Sequence, residues 1–139
     1  MMNYTQNTHP ETSTIKENEW ALSNRLNFSP FTSCIGLVGY DKNRNGGLWG
    51  IHLVQAVDDF FNDEDAKKVS QLAVAHCEKK QLKLFGCASS WELNTAYSEL
   101  KRLLANQGFR VDVITQPKDD GSYTTTYNTV TGSIDIVKS

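Results

Sequence analysis

Two apolar runs, Ile35–Tyr40 and Leu48–Val54, stand on either side of the polar, glycine-bearing loop "DKNRNGG". Each run is short and bounded by turn formers, as strands are. Together they predict an antiparallel hairpin. Centred on Asn43, such a hairpin sets Tyr40 opposite Gly46 and Cys34 opposite His52. The Cβ atoms of an opposed pair lie about 4.5–5.5 Å apart, within the range where a thiol and an imidazole share a proton. Gly36 then faces Gly50 beside that pair, and two missing side chains predict a recess open to a ligand. Alternation along each strand puts Cys34, Gly36, Val38, Leu48, Gly50 and His52 on one face. Ile35, Leu37, Trp49, Ile51 and Leu53 fall on the other, which reads as core.

The rest of the chain supplies partners for this hairpin. The apolar spacing of Ile15, Leu22 and Leu26 predicts a helix over 14–26. A second helix follows Asn62 or Asp63, with acidic residues in its first turn and Ala66, Val69, Ala73, His76 and Cys77 along its apolar stripe. "LKLFGCA" reads as a strand. Ser89 and Glu92 form a capping box for a third helix, lined by Leu93, Ala96, Tyr97, Leu100 and Leu104 and closed by Gly108. "FRVDVIT", "YTTTYNTV" and "SIDIVK" read as strands joined by the turns "KDDGS" and "TG". This order lacks the steady strand–helix alternation of a doubly wound sheet. The expectation is an α+β domain over 14–139, mostly antiparallel sheet with two main helices packed on it, preceded by a flexible polar tail over 1–13.

Length and charge narrow the function. A chain of 139 residues favours one core. Its net charge of −2 and the lack of a basic stripe argue against nucleic acid. No apolar run is long enough to span a bilayer, and the first dozen residues do not resemble a secretory signal. Three cysteines, Cys34, Cys77 and Cys87, are too few for a disulfide scaffold and imply free thiols in a reducing cytoplasm. Their spacing does not fit a structural metal site. Cys77 reads as structural; Cys87, which ends a strand next to Gly86, reads as structural, with a place at the border of the site as the alternative.

The stretch "SCIGLVGYDKNRNGGLWGIHL" resembles the signature of the CheD family, the chemotaxis-receptor glutamine deamidases. That family has a Gly-Ser-Cys strand start, a Gly-Gly in the loop and a catalytic histidine on the returning strand. "KLFGCA" looks like the family's strand ending in Gly-Gly-Ala, and "TVTGSIDIVK" is similar to its closing hairpin. The resemblance runs from about Ser33 to Lys138. It implies a sheet sandwich flanked by helices, shared with the cytotoxic necrotizing factors, which extends the cellular setting to possible delivery into a host cell. It also implies a cysteine-dependent amidohydrolase that deamidates an exposed glutamine of a protein substrate. Cys34 would be the nucleophile and His52 the acid and base, acting through a thioester with no metal or organic cofactor. Gly36 and Gly50 would admit the glutamine side chain.

Three positions depart from the family. Phe28 stands where the family places a threonine six residues before the cysteine. Cys87 replaces a glycine, and Ser122-Tyr123 replaces a Gly-Arg. A third group must hold the imidazole by its other nitrogen. Ser29 and Thr32 are the candidates, with a backbone carbonyl as the alternative. Two other functions fit the same residues: a protein-binding module that kept the fold, and transglutaminase or thiol-protease chemistry at the same pair. The oligomeric state is not legible in the sequence.

Overall fold

The computed structural model describes residues 2–56, 60–115 and 120–139. The hairpin forms, from β4 (Ile35–Asp41) and β5 (Leu48–Leu53). Around it lie β1 (Thr5–Gln6), β2 (Glu19–Ser23), β6 (Cys77–Gly86) and β7 (Arg110–Val113), giving a six-stranded sheet in the order β1-β2-β5-β4-β6-β7. A second sheet, β3-β8-β9, is built from Arg25–Asn27, Tyr123–Tyr127 and Ile134–Lys138. Two helices, α1 (Asp63–His76) and α2 (Thr95–Asn106), pack on each other and complete the α+β sandwich.

The hairpin register differs from the expectation. Gly36 pairs with His52, Val38 with Gly50 and Tyr40 with Leu48, so the hairpin is centred on Arg44 rather than Asn43. The cause lies in the loop. Gly46 adopts φ +79°, a left-handed turn conformation that glycine takes without a steric cost and a strand position does not use. Asp41 instead pairs its N–H with the Gly47 carbonyl at 3.0 Å. The slip is two residues, an even number, so every side chain keeps its face. Cys34 moves from directly opposite His52 to a diagonal position on the same side.

Both faces of the hairpin are covered. Ile35, Leu37, Trp49, Ile51 and Leu53 are fully buried, as the alternation predicts. The Gly36–Gly50–His52 face meets the second sheet. A Cβ on Gly50 would lie 2.6 Å from Leu26 of β3 and 3.1 Å from Phe28, and one on Gly36 would lie 2.3 Å from the Phe85 ring. The expected recess for substrate at Gly36 and Gly50 is therefore occupied by the protein's own side chains. These glycines let aromatic rings approach the backbone; they do not line a substrate site.

The predicted helix over 14–26 is instead β2 and β3. Asn18 takes φ +63°, which stops a helix there. The flanking backbone is taken by the sheets: Asn18 N–H donates to His52 O at 2.8 Å, and Ile15 N–H to Asn27 O at 2.7 Å. The first residues, expected as a flexible tail, are tied in. Thr5–Gln6 pair with Glu19–Trp20, and Met2 is buried.

Both helices end and begin for local reasons. Asn62 caps α1, accepting from the N–H groups of Glu64 at 3.0 Å and Asp65 at 3.1 Å. Asp65 returns a bond to Asn62 N–H at 3.0 Å and also accepts from Met2 N–H at 2.8 Å. Asn62→Ala should cost about 1 kcal/mol, the usual worth of an N-cap, read as a lowered urea midpoint at unchanged slope. Ala66, Val69 and Ala73 are buried along α1 as expected, and Cys77 is buried as the first residue of β6. His76 lies half-buried, its ring 4.5 Å from Trp20. The expected Ser89–Glu92 capping box does not form: Ser89 lies within a short 3-10 turn, Ala88–Trp91, which has no side-chain cap. Asn94 caps α2, accepting from Ala96 N–H at 2.9 Å, and Leu93 is left almost wholly exposed. Ala96, Tyr97, Leu100 and Leu104 form the buried stripe. Lys118 and Asp119 of the expected "KDDGS" turn lie outside the described residues. Among the described residues no helix is long and apolar enough to cross a membrane.

Candidate active site around Cys34 and His52

The chain enters β4 through Ser33, a non-glycine residue at φ +65°. Such a conformation persists only where surrounding bonds hold it. Here the Ser33 N–H donates to Asp120 Oδ1 at 3.1 Å, and the Ser33 carbonyl accepts from the Trp91 indole at 2.9 Å. Phe31 and Gly121 exchange two backbone bonds, of 2.7 and 3.1 Å, which bring Asp120 alongside. The elbow is thus clamped from both sides, and Cys34 follows it directly.

Cys34 is 2% exposed, yet it borders a cleft of about 260 Å³ together with Glu17, Thr32, Ser33, Val54 and Phe60. Its thiol lies 3.7 Å from the Thr32 carbonyl. Burial is the main cause that raises its pKa, the Thr32 contact opposes this, and Glu17 and Asp120 add to it. Cys34 is therefore a thiol at neutral pH and needs a base to become a nucleophile.

His52 is fully buried. Its Nδ1 lies 3.0 Å from the Ile15 carbonyl and 3.3 Å from Ser29 Oγ. A carbonyl only accepts, so Nδ1 carries the proton and Nε2 is the bare, basic nitrogen. Among the described residues Nε2 has no hydrogen-bond partner. Phe31 packs over the ring at 4.6 Å and Phe28 stands edge-on at 6.1 Å. Burial lowers the imidazole pKa, with the Ile15 carbonyl pulling the other way. The ring is neutral at pH 7 and oriented as a base.

The expected site is partly assembled. Cys34 and His52 share a face, but no hydrogen bond joins them: Cys34 turns to Thr32 O, and Nε2 is unpaired. Ser29 does reach the imidazole, whereas Thr32 contributes its carbonyl to Cys34 and leaves its side chain exposed. The main anchor of the ring is the backbone carbonyl of Ile15, which also accepts from Ser29 N–H at 3.0 Å. No side-chain pattern marks which backbone carbonyl accepts from an imidazole, so nothing in the sequence singles out Ile15. Phe28, in the family's threonine position, packs against Phe31, Phe85 and His52 instead of holding the ring by a bond.

Cys87 and Asp120 also belong to this region. The Cys87 thiol donates to Asp120 Oδ1 at 3.1 Å, and the Cys87 N–H donates to the Cys34 carbonyl at 2.9 Å. Burial, followed by Asp120, pushes the Cys87 thiol up to about 11. The contact with Cys87 and the Ser33 N–H hold the Asp120 carboxyl below its usual range. A larger polar cavity of about 540 Å³ lies at the far end of β4, beside Tyr40, Arg44, Lys80 and Arg110. It contains no histidine or cysteine. Among the described residues no three His, Cys, Asp or Glu side chains gather as metal ligands. Comparison of the chain with family models, curated proteins and solved structures finds no match.

Proposed function

We propose that the protein is a cysteine-dependent amidohydrolase that converts glutamine side chains of a protein substrate to glutamate. The observation that carries this reading is the unpaired Nε2 of His52. A buried nitrogen without a partner is costly, and here it belongs to a ring whose other nitrogen is held in the tautomer a general base requires. It shares a sheet face with a cysteine placed after a clamped, strained elbow at a cleft. Perturbed titratable groups grouped in this way mark catalytic sites more often than structural ones. The resemblance of the hairpin to the CheD family supplies the substrate class.

The reaction begins as the Cys34 side chain turns from Thr32 O toward Nε2, a reach that diagonal neighbours in a sheet allow. Nε2 takes the thiol proton and the thiolate attacks the carboxamide carbon. The tetrahedral intermediate collapses to a thioester, and the imidazolium protonates the departing ammonia. Neutral His52 then draws a proton from water, which hydrolyses the thioester. Ile15 O and Ser29 hold the ring through both proton transfers.

The test uses a cell lysate treated with the protein or with Cys34→Ser. The active chain should raise the mass of particular glutamine peptides by about one dalton, amide to acid, and the variant should lose this roughly 10³-fold or more. Equal modification by both proteins would rule out the nucleophile and the reaction. Absence of modification, with specific retention of one lysate protein by both forms, would assign the fold to binding instead.

A further inference from the structure

We infer that Cys34 and Cys87 form a peroxide-reactive dithiol, in which Cys34 is oxidised first and Cys87 closes a reversible disulfide onto it. This chemistry does not depend on the amidohydrolase reading, because its product is read by mass rather than by activity.

The antiparallel ladder between β4 and β6 carries the inference. Ile35 pairs with Gly86, so one further step along the ladder sets Cys34 opposite Cys87. The 2.9 Å bond from Cys87 N–H to Cys34 O holds the two backbones together just past that last paired step, where Gly86 at φ +99° and Cys87 at φ −86°, ψ 47° turn the chain out of the strand. A disulfide requires Cα atoms roughly 4.4–6.8 Å apart, a separation that a direct N–H···O bond between two residues allows, and the Cys34 thiol is close enough to act on the Cys87 thiol electrostatically. Cys77 sits at the other end of β6, opposite Asp41, and cannot compete.

The two thiols are not equivalent. Cys34 borders the cleft, which admits a molecule the size of a hydroperoxide. Cys87 is 5% exposed and donates to Asp120 at 3.1 Å. In the first step the Cys34 proton passes to Nε2 of His52, which carries it on to the departing peroxide oxygen, and the thiolate attacks the other oxygen. The O–O bond breaks, a sulfenic acid forms and one water leaves with the thiol proton. In the second step Cys87 attacks the Cys34 sulfur. The S–O bond breaks, and the departing hydroxide takes the Cys87 thiol proton to leave as a second water. Each sulfur gives up one electron and the peroxide accepts both. The product removes Cys34 from any role as a nucleophile until a thiol reductant restores it.

The test is peptide mapping of the full, reduced chain after treatment with a small excess of hydrogen peroxide, with free thiols blocked. A Cys34–Cys87 cross-linked peptide, lighter by two hydrogens and released by dithiothreitol, is the expected result. Cys77→Ser should leave it unchanged. Cys87→Ser should abolish it and let Cys34 advance to the sulfinic acid. A Cys34 sulfinic acid without cross-link in the unmodified chain, or a link to Cys77, would overturn the proposal, as would linkage between molecules only.

Discussion

Gly36→Ala is expected to cost the fold about 3 kcal/mol, at the upper end of what a single extra carbon does in a packed core. The added Cβ would stand 2.3 Å from Phe85 Cζ and within 2.8 Å of both Cε atoms. Phe85 cannot move aside. It is fully buried and held among Phe28, Phe31 and Tyr123, with ring centroids 5.3–5.7 Å apart. Gly36 is also mid-sheet, bonded to β5 on one side and β6 on the other, so its backbone has no freedom to retreat. Phe85→Leu alone should cost about 1–2 kcal/mol through lost volume. The double variant should cost less than the sum, by 1 kcal/mol or more, because the shorter side chain vacates the space the Cβ enters (about this much coupling is usual for contacts). Urea unfolding of the four proteins measures this. Simple additivity would show that Gly36 faces an open recess after all, and would return it to the substrate site.

His52→Gln is expected to change two measurements that a purely structural histidine would not link. Glutamine retains an N–H for the Ile15 carbonyl but has no basic nitrogen. Deamidation should fall roughly 10²- to 10⁴-fold, the range of general-base losses. Stability should also lose part of its pH dependence. Burial holds the folded imidazole below its ordinary value of 6.5, so the unfolded chain binds the proton more readily. Stability from this source is complete above about pH 6.5 and is lost as pH falls from there through the lower folded value. Comparing urea midpoints at pH 7.5 and pH 5 should give a larger drop for the original chain than for His52→Gln. A similar drop in both would mean that His52 does not titrate between the folded and unfolded states. Retained activity in the variant would remove His52 from the mechanism.

The parts of the fold that were legible share one property: their signal is local. The hairpin strands, α1 and the stripe of α2 are written in period and in caps, and the structure has them. The helix expected over 14–26 failed because tertiary pairing overrode a loose apolar spacing. Asn18 and Ile15 bond to β5 and to Asn27, and nothing near them in sequence announces those partners. The capping box at Ser89 failed for a smaller reason. Asn94, five residues on, caps the helix that packs, while Ser89 and Glu92 fall in and just after a 3-10 turn that has no side-chain cap.

The candidate site divides along the same line. Sequence alone determined that Cys34 and His52 lie on one face of a hairpin, because alternation follows from strand geometry and survives any even slip. It could not determine the register, since that depends on whether Gly46 joins the strand or the turn. Nor could it find Ile15 and Asp120, which reach the site from distant points of the chain, one through its carbonyl and the other through its carboxylate. The tertiary structure also decided what the two glycines do. A missing side chain leaves space, and only the packed fold shows that Phe85, Leu26 and Phe28 fill it.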